Sequence, residues 1–287
     1  MAKTESRFIL TVQCPDTIGI VAEVATYLRS LECFIEESAH YGDPETGRFF
    51  MRTVISPRGP FSRGRFSAGF DAIAERFSME WALHDTNVRP RVLIMVSRLD
   101  HCLNDLLFRY RKGELAMTVP AVVSNHMDLA GLVEWHKIPY FHIPIGKDTK
   151  PEAEARLVEI VEDTKADLIV LARYMQVLSD ALCAKYSGRV INIHHSFLPS
   201  FKGARPYHQA FARGVKLIGA TAHYVTSELD EGPIIEQMVE RVDHSHTPEQ
   251  LVAIGRDVES LTLARALNYQ INHRVFQNGH KTVVFRG

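Results

Sequence analysis

The stretch ADLIVLARYMQVLSDALCAKYSGRVINIHH (residues 166–195) decides the fold. Its two ends, 166–172 and 190–195, are short and largely apolar, as expected of strands buried on both faces. Between them LSDALCAKYSG (178–188) starts on a Ser-Asp cap and ends on a glycine, the signals of a short helix. Strand, helix and strand in that order predict a parallel crossover unit.

The same alternation extends outward on the N-terminal side. RVLIMVS (91–97), MTVPAVVSN (117–125) and YFHIPI (140–145) read as strands. HCLNDLLFRYRKG (101–113), DLAGLVEWHK (128–137) and PEAEARLVEIVEDTK (151–165) read as the helices between them. The last opens with Pro at N1 and acids in its first turn, both favourable there. On the C-terminal side, 206–213 predicts a short helix, 219–226 and 232–242 two strands, 247–274 a long capped helix and 282–286 a final strand. The expected fold is therefore α/β, a Rossmann-like, mostly parallel sheet. Ligands bind such sheets beyond the carboxyl ends of the strands. Those ends are Ser97, Ser124-Asn125, Ile145-Gly146, Arg173-Tyr174-Met175 and Asn192 to Ser196.

Residues 7–88 follow another pattern. Strands at 7–14, 33–41, 48–56 and 79–86 alternate with helices at 17–30 and 64–78, giving the β-α-β-β-α-β order of a ferredoxin-like α+β domain. Asp16 or Thr17 serves as the expected cap of the first helix. VRPRV (88–92) reads as a linker, so the domains are expected at 1–87 and 88–287. A net charge of −1 argues against nucleic acid or an anionic membrane as partner. No apolar run approaches the roughly 18–20 residues that span a bilayer. MAKTESRF lacks the apolar core of a signal peptide. Cys14, Cys33, Cys102 and Cys183 form no C-x-x-C pair, which predicts reduced thiols in a cytoplasmic protein and no metal site.

The chemistry-bearing stretch is Val190 to Gln237. It opens on Asn192, His194 and His195 and closes on the acidic turn Leu229-Asp230-Glu231-Gly232. Taken singly, an N-I-H on a strand suits a structural pair, and an E-L-D-E-G turn suits a solvated corner. Together, N-I-H-x-S-x-L-P and the downstream D-x-G resemble the folate-dependent formyltransferase fold. The C-P-D-x-x-G-I-V segment at the first N-terminal turn resembles an ACT domain, a regulatory module that commonly pairs and binds an amino acid. The two together resemble the 10-formyltetrahydrofolate hydrolases over essentially the whole chain.

That resemblance implies catalytic roles for Asn192, His194 and Asp230. An amide N–H of Asn192 and an N–H of protonated His194 would stabilise the oxyanion formed on the formyl carbon, a contact worth roughly 3–4 kcal/mol per donor. Asp230 would favour the protonated imidazole and position the attacking water or accept its proton. His194 would then protonate the departing folate nitrogen. The resemblance also implies that Arg173, Tyr174, Met175, Val177 and Leu178 line the pterin pocket, with Thr226 to Glu231 closing the other side. The alternative for Met175 and Val177 is simple strand–helix packing. Asp16, Gly19 and Ile20 fall at the expected regulatory turn, with methionine and glycine as implied effectors, or the module serves only to pair chains. His195 is expected on the opposite side of its strand from His194, and His223 behind the site.

The acceptor is argued separately. Glycinamide ribonucleotide formyltransferases carry a Gly-rich phosphate loop after the first strand. Here residues 97–112 contain no glycine and place Asp100 where a phosphate would sit. The expectation is therefore hydrolysis of a folate substrate to tetrahydrofolate and formate, without a cofactor, by a homo-oligomer. The resemblance implies formate supply to purine synthesis and balance of one-carbon folate pools. Formyl transfer to a small amine is the alternative, and a catalytically silent folate or amino-acid sensor is another.

Overall fold

β1 (Phe8–Pro15) leads through a turn into α1 (Ile20–Ser30). The structure, a computed structural model, describes residues 7–146, 148–198 and 206–286. Residues 1–6 and 199–205, which include Pro199 at the end of the N-I-H-x-S-x-L-P segment, lie outside them. The chain divides into two compact units. The first runs up to Arg89 and includes Asn272–Asn278 and 282 onward; the second is Pro90–Ile271 with Gly279–Lys281.

In the first unit β2 (Cys33–Asp43), β3 (Arg48–Pro57), α2 (Arg63–Phe77) and β4 (Glu80–Asp85) follow α1. The sheet is antiparallel, in the order β2-β3-β1-β4. Alternate residues of β1, Leu10 and Val12, point into a core closed by Ile20, Val24 and Leu28 of α1 and Phe66 and Phe70 of α2. The helix cap differs from the expectation. Gly19, not Asp16 or Thr17, is the N-cap of α1, at φ 98° and with no side-chain cap bond. Asp16 is instead tied into the turn by its N–H, which donates to the Gly47 carbonyl. The left-handed conformation explains why the turn ends on glycine.

The second unit opens with β5 (Val92–Val96), α3 (His101–Lys112), β6 (Val122–Ser124), α4 (Ala130–Trp135) and β7 (Tyr140–His142). It continues with α5 (Lys150–Asp163), β8 (Leu168–Leu171), α6 (Asp180–Lys185) and β9 (Val190–His194). α7 (Pro206–Arg213), β10 (Leu217–Tyr224), β11 (Ile234–Arg241) and α8 (Pro248–Ile271) complete it. The strand order is β11-β10-β9-β8-β5-β6-β7. β5 to β9 are parallel neighbours, while β10 pairs antiparallel with both β9 and β11. β6 is shorter than the apolar run 117–125 suggests. Pro120 has no N–H to give a ladder, and only an Arg91–Thr118 bridge precedes it. Ser179 caps α6 as its sequence predicts, its hydroxyl accepting from the Leu182 N–H at 3.3 Å.

The C-terminal segment forms two strands, β12 (Val275–Asn278) and β13 (Lys281–Val284), where one was expected. The Arg274 guanidinium donates to Glu37 at 3.0 Å, and the Asn278 amide donates to Asp43 at 2.6 Å. His273 stacks on His84 with ring centroids 3.5 Å apart. Burial, with Arg63 and Arg52 beside it, pushes the His84 imidazole down to about 4. Burial, His84 and Arg52 push His273 down to about 3. The unfolded chain therefore binds protons first, near the ordinary value of 6.5, and acidification from there toward 4 disfavours the folded unit. His273→Asn removes one titrating ring and keeps a residue tolerant of its positive φ of 53°. The expected outcome is a shallower fall of the urea midpoint between pH 7 and 4.5 than in the parent; equal falls would dismiss the stack as a source of acid lability.

Candidate active site

β9, third of the seven strands from the β11 edge, carries polar residues of the site toward its carboxyl end. Val190, Ile191 and Ile193 are buried apolar residues, and Asn192 and His194 lie toward its carboxyl end. The antiparallel register with β10 sets Asn192 opposite His223 and His194 opposite Thr221. The Asn192 Nδ2 is 3.3 Å from His223 Nε2, and His223 Nδ1 is 2.8 Å from the Tyr224 carbonyl oxygen. A carbonyl only accepts, so Nδ1 carries the hydrogen. Burial holds His223 below the usual histidine range. Its neutral Nε2 then accepts from the Asn192 amide, which leaves the amide a second N–H for a ligand.

His194 Nδ1 lies 3.2 Å from Asp230 Oδ2, and both side chains are largely buried. Burial pushes the Asp230 carboxyl up, but the His194 hydrogen bond and the neighbouring His194, His223 and His195 imidazoles outweigh it and hold the group below the usual carboxylate value. Among the described residues, His194 Nε2 is buried with no partner. Asp230 adopts the left-handed region at φ 58°, and so does Arg173 at φ 64°. For a residue with a side chain that conformation costs on the order of 1–3 kcal/mol and is held by its surroundings. Gly232 supplies part of that hold: a Cβ there would collide with the Tyr224 carbonyl oxygen.

These groups line a cavity of about 240 Å³. Asn192, His194 and Asp230 share it with Arg173, Tyr174, Met175, Val177, Leu178 and Thr226. Met175 and Val177 are each 57 % exposed, which sets aside the strand–helix packing alternative for their side chains. Glu231 is not part of the lining; the turn carries it one residue past the cavity wall, and it is exposed. His195 corrects the expectation for it. β9 ends at His194, strand alternation ends there too, and His195 lines the same cavity, its ring centroid 5.0 Å from that of His194. At the N-terminal turn Gly19 caps α1, Ile20 is buried in the core, and Asp16 is exposed. Ile20 therefore offers no surface to a ligand.

The loop 173–178 is fixed from below by the neighbouring strand ends. The Ser97 hydroxyl accepts from the Met175 N–H at 3.0 Å and donates to Asn125 Oδ1 at 2.8 Å. Arg173 is buried beside Glu259 of α8, Nε to Oε2 3.4 Å. The same carboxylate accepts from Tyr207 at 2.7 Å and lies 2.7 Å from His101 Nε2. Glu259 gives no signal in sequence, where it is one acid in a long helix. With His101 and Cys102 it makes a cluster of metal-ligating types. The Arg173 cation already occupies its vicinity and would repel a second cation. Removing one partner of a buried ion pair strands the other. Glu259→Ala is expected to lower the unfolding free energy by about 3–5 kcal/mol in urea titrations; a loss below about 1 kcal/mol, the scale of exposed pairs, would mean that Arg173 finds another partner.

A formyl transferase family profile matches residues 90–267. The chain is 52% identical over 281 residues to formyltetrahydrofolate deformylase of Corynebacterium sp. (strain P-1), covering 98% of each. It is similar to the crystal structure of formyltetrahydrofolate deformylase from Burkholderia mallei, with TM-score 0.94, 55% identity, and coverage of 98% of this chain and 100% of that one. Glycinamide ribonucleotide transformylase 1 from Symbiobacterium toebii is a more distant neighbour, with TM-score 0.65 and 28% identity, covering 69% of this chain and 95% of that one.

Proposed function

The chain belongs to the formyltetrahydrofolate deformylase family, and from that premise we infer that it hydrolyses 10-formyltetrahydrofolate to tetrahydrofolate and formate. The observation that carries this reading is the convergence of one free amide N–H, one imidazole–carboxylate pair and an apolar loop on a single cavity. The cavity has room for a bicyclic head group, with the rest of a folate extending outside it. The backbone and side chains of 173–178 hold that head group.

The Asn192 amide faces the oxygen of the formyl group and takes up its charge as the tetrahedral intermediate forms. Asp230 holds His194 by Nδ1, so that Nε2 is the nitrogen left to serve the substrate. His194 Nε2 protonates the departing folate nitrogen, and Asp230 stabilises the imidazolium before that transfer. Because the folded-state pKa of Asp230 is depressed, its charge is present at neutral pH and is lost as the pH falls through that value.

Transfer to an amine is the weaker reading. α3 begins at His101 with Asp100 in its N-cap position, exposed and anionic, where an acceptor phosphate would need backbone N–H groups and a favourable dipole. No helix among the described residues is long and apolar enough to cross a membrane. Four free, buried cysteines support a cytoplasmic setting. The first unit is assigned the ACT role, responding to methionine or glycine and pairing chains into an oligomer.

Incubation with 10-formyltetrahydrofolate and no amine should release formate and tetrahydrofolate in equal amounts; absence of formate sinks the hydrolase reading. Asn192→Ala should lower kcat by about 10²–10³-fold, the effect of losing one oxyanion donor. Asp230→Asn should cut turnover and leave the unfolding midpoint near that of the parent. Full activity in that variant would remove Asp230 from the mechanism. Rates unchanged by methionine and by glycine would count against the effector assignment.

A further inference from the structure

We propose that His195 is a further catalytic residue of this cavity, the base that holds the attacking water and takes its proton. The inference rests on the hydrolase reading above and assigns the step that reading leaves to water.

The other two imidazoles on the cavity wall are committed. His223 uses Nδ1 on the Tyr224 carbonyl and Nε2 on Asn192. Asp230 has one oxygen on His194, where it holds the imidazole in place; the other lies 3.7 Å from His223 Nε2, beyond hydrogen-bond reach. His194 has Nδ1 on Asp230 and keeps Nε2 for the leaving nitrogen. Of the three imidazoles on the cavity wall, His195 is the one with no hydrogen-bond partner among the described residues. Its ring lies 5.0 Å from that of His194, centre to centre, and tilted 38° to it. A substrate carbon held between Asn192 and His194 is therefore within one water of His195.

The charged groups facing the ring explain its protonation state. Burial, Arg173 and His194 push it down to about 4, against Glu259 and Asp230, which raise it. The ring is neutral at pH 7 and has a lone pair to offer. The buried Glu259–Arg173 pair thus does more than fix the loop: it keeps a cation beside His195.

The step balances. One O–H bond of water breaks and its proton goes to the unprotonated nitrogen of His195. The water oxygen bonds to the formyl carbon, and the carbonyl electron pair moves onto oxygen beside Asn192. The oxyanion collapses, the C–N bond breaks, and the nitrogen takes its proton from His194. Formic acid leaves and gives its proton to solvent. The proton on His195 returns to His194 through water, so one substrate and one water yield tetrahydrofolate, formate and one proton.

His195→Gln and His195→Ala are compared with the parent for formate release and for unfolding midpoint. The expected result is a fall in kcat of about 10²-fold or more, the usual contribution of a general base, with KM and the midpoint unchanged. A retained kcat overturns the proposal, as does a raised KM with kcat intact, which makes His195 a binding group. Loss of folding in both variants overturns it too, in favour of a structural role. Absence of formate from the parent enzyme itself would instead remove the hydrolase reading on which all of this stands.

Discussion

The register between β9 and β10 is the constraint on which the rest of the site depends. It places Asn192 across from His223 and His194 across from Thr221. A slip of one residue would turn each side chain to the other face of the sheet. Thr221 secures the register with its hydroxyl, which donates to the Ser196 carbonyl and accepts from the Leu198 N–H. Gln237 of β11 donates to the same hydroxyl and to the Leu198 carbonyl. Two neighbouring strands thus fix the chain just past His194. The antiparallel join of β10 to β9 makes this possible, because it brings a strand back along the rim that the parallel strands end on.

Charge is managed by distribution. One buried carboxylate, Asp230, meets three imidazoles; another, Glu259, meets an arginine, a tyrosine and a histidine. Each is satisfied well enough to stay ionised in spite of burial. The two networks meet at the cavity wall through Arg173 and His195. Two side-chain-bearing residues at positive φ, Arg173 and Asp230, sit one in each network, so backbone strain and buried charge are concentrated in the same few residues.

Much of this was legible in the sequence, and the failures have physical causes. Apolar runs and caps located β5, β8, β9 and α6 because buried parallel strands and Ser-Asp caps are strong local signals. The resemblance located Asn192, His194 and Asp230, which the fold brings to one cavity. His195 was placed on the wrong side, since alternation was extended one residue beyond the end of β9. Glu259 was invisible, because its partners Arg173, Tyr207 and His101 are 52 to 158 residues away and no spacing rule connects them. The N-cap of α1 was misjudged for a local reason: Asp16 and Thr17 are better capping types than glycine, but the turn requires φ 98° at position 19.

The Arg274–Glu37 and Asn278–Asp43 bonds join residues 237 and 235 positions apart. Made on a ribosome, the first unit has its four-stranded sheet long before the residues that complete it exist. Until residues 272–278 are made, Glu37 and Asp43 lack these two partners, and Arg52 lacks the Asn272 carbonyl to which its guanidinium donates. The first unit is thus begun before residues 90–271 and completed only after them. A chain cut before Asn272 loses contacts of the sheet it made first.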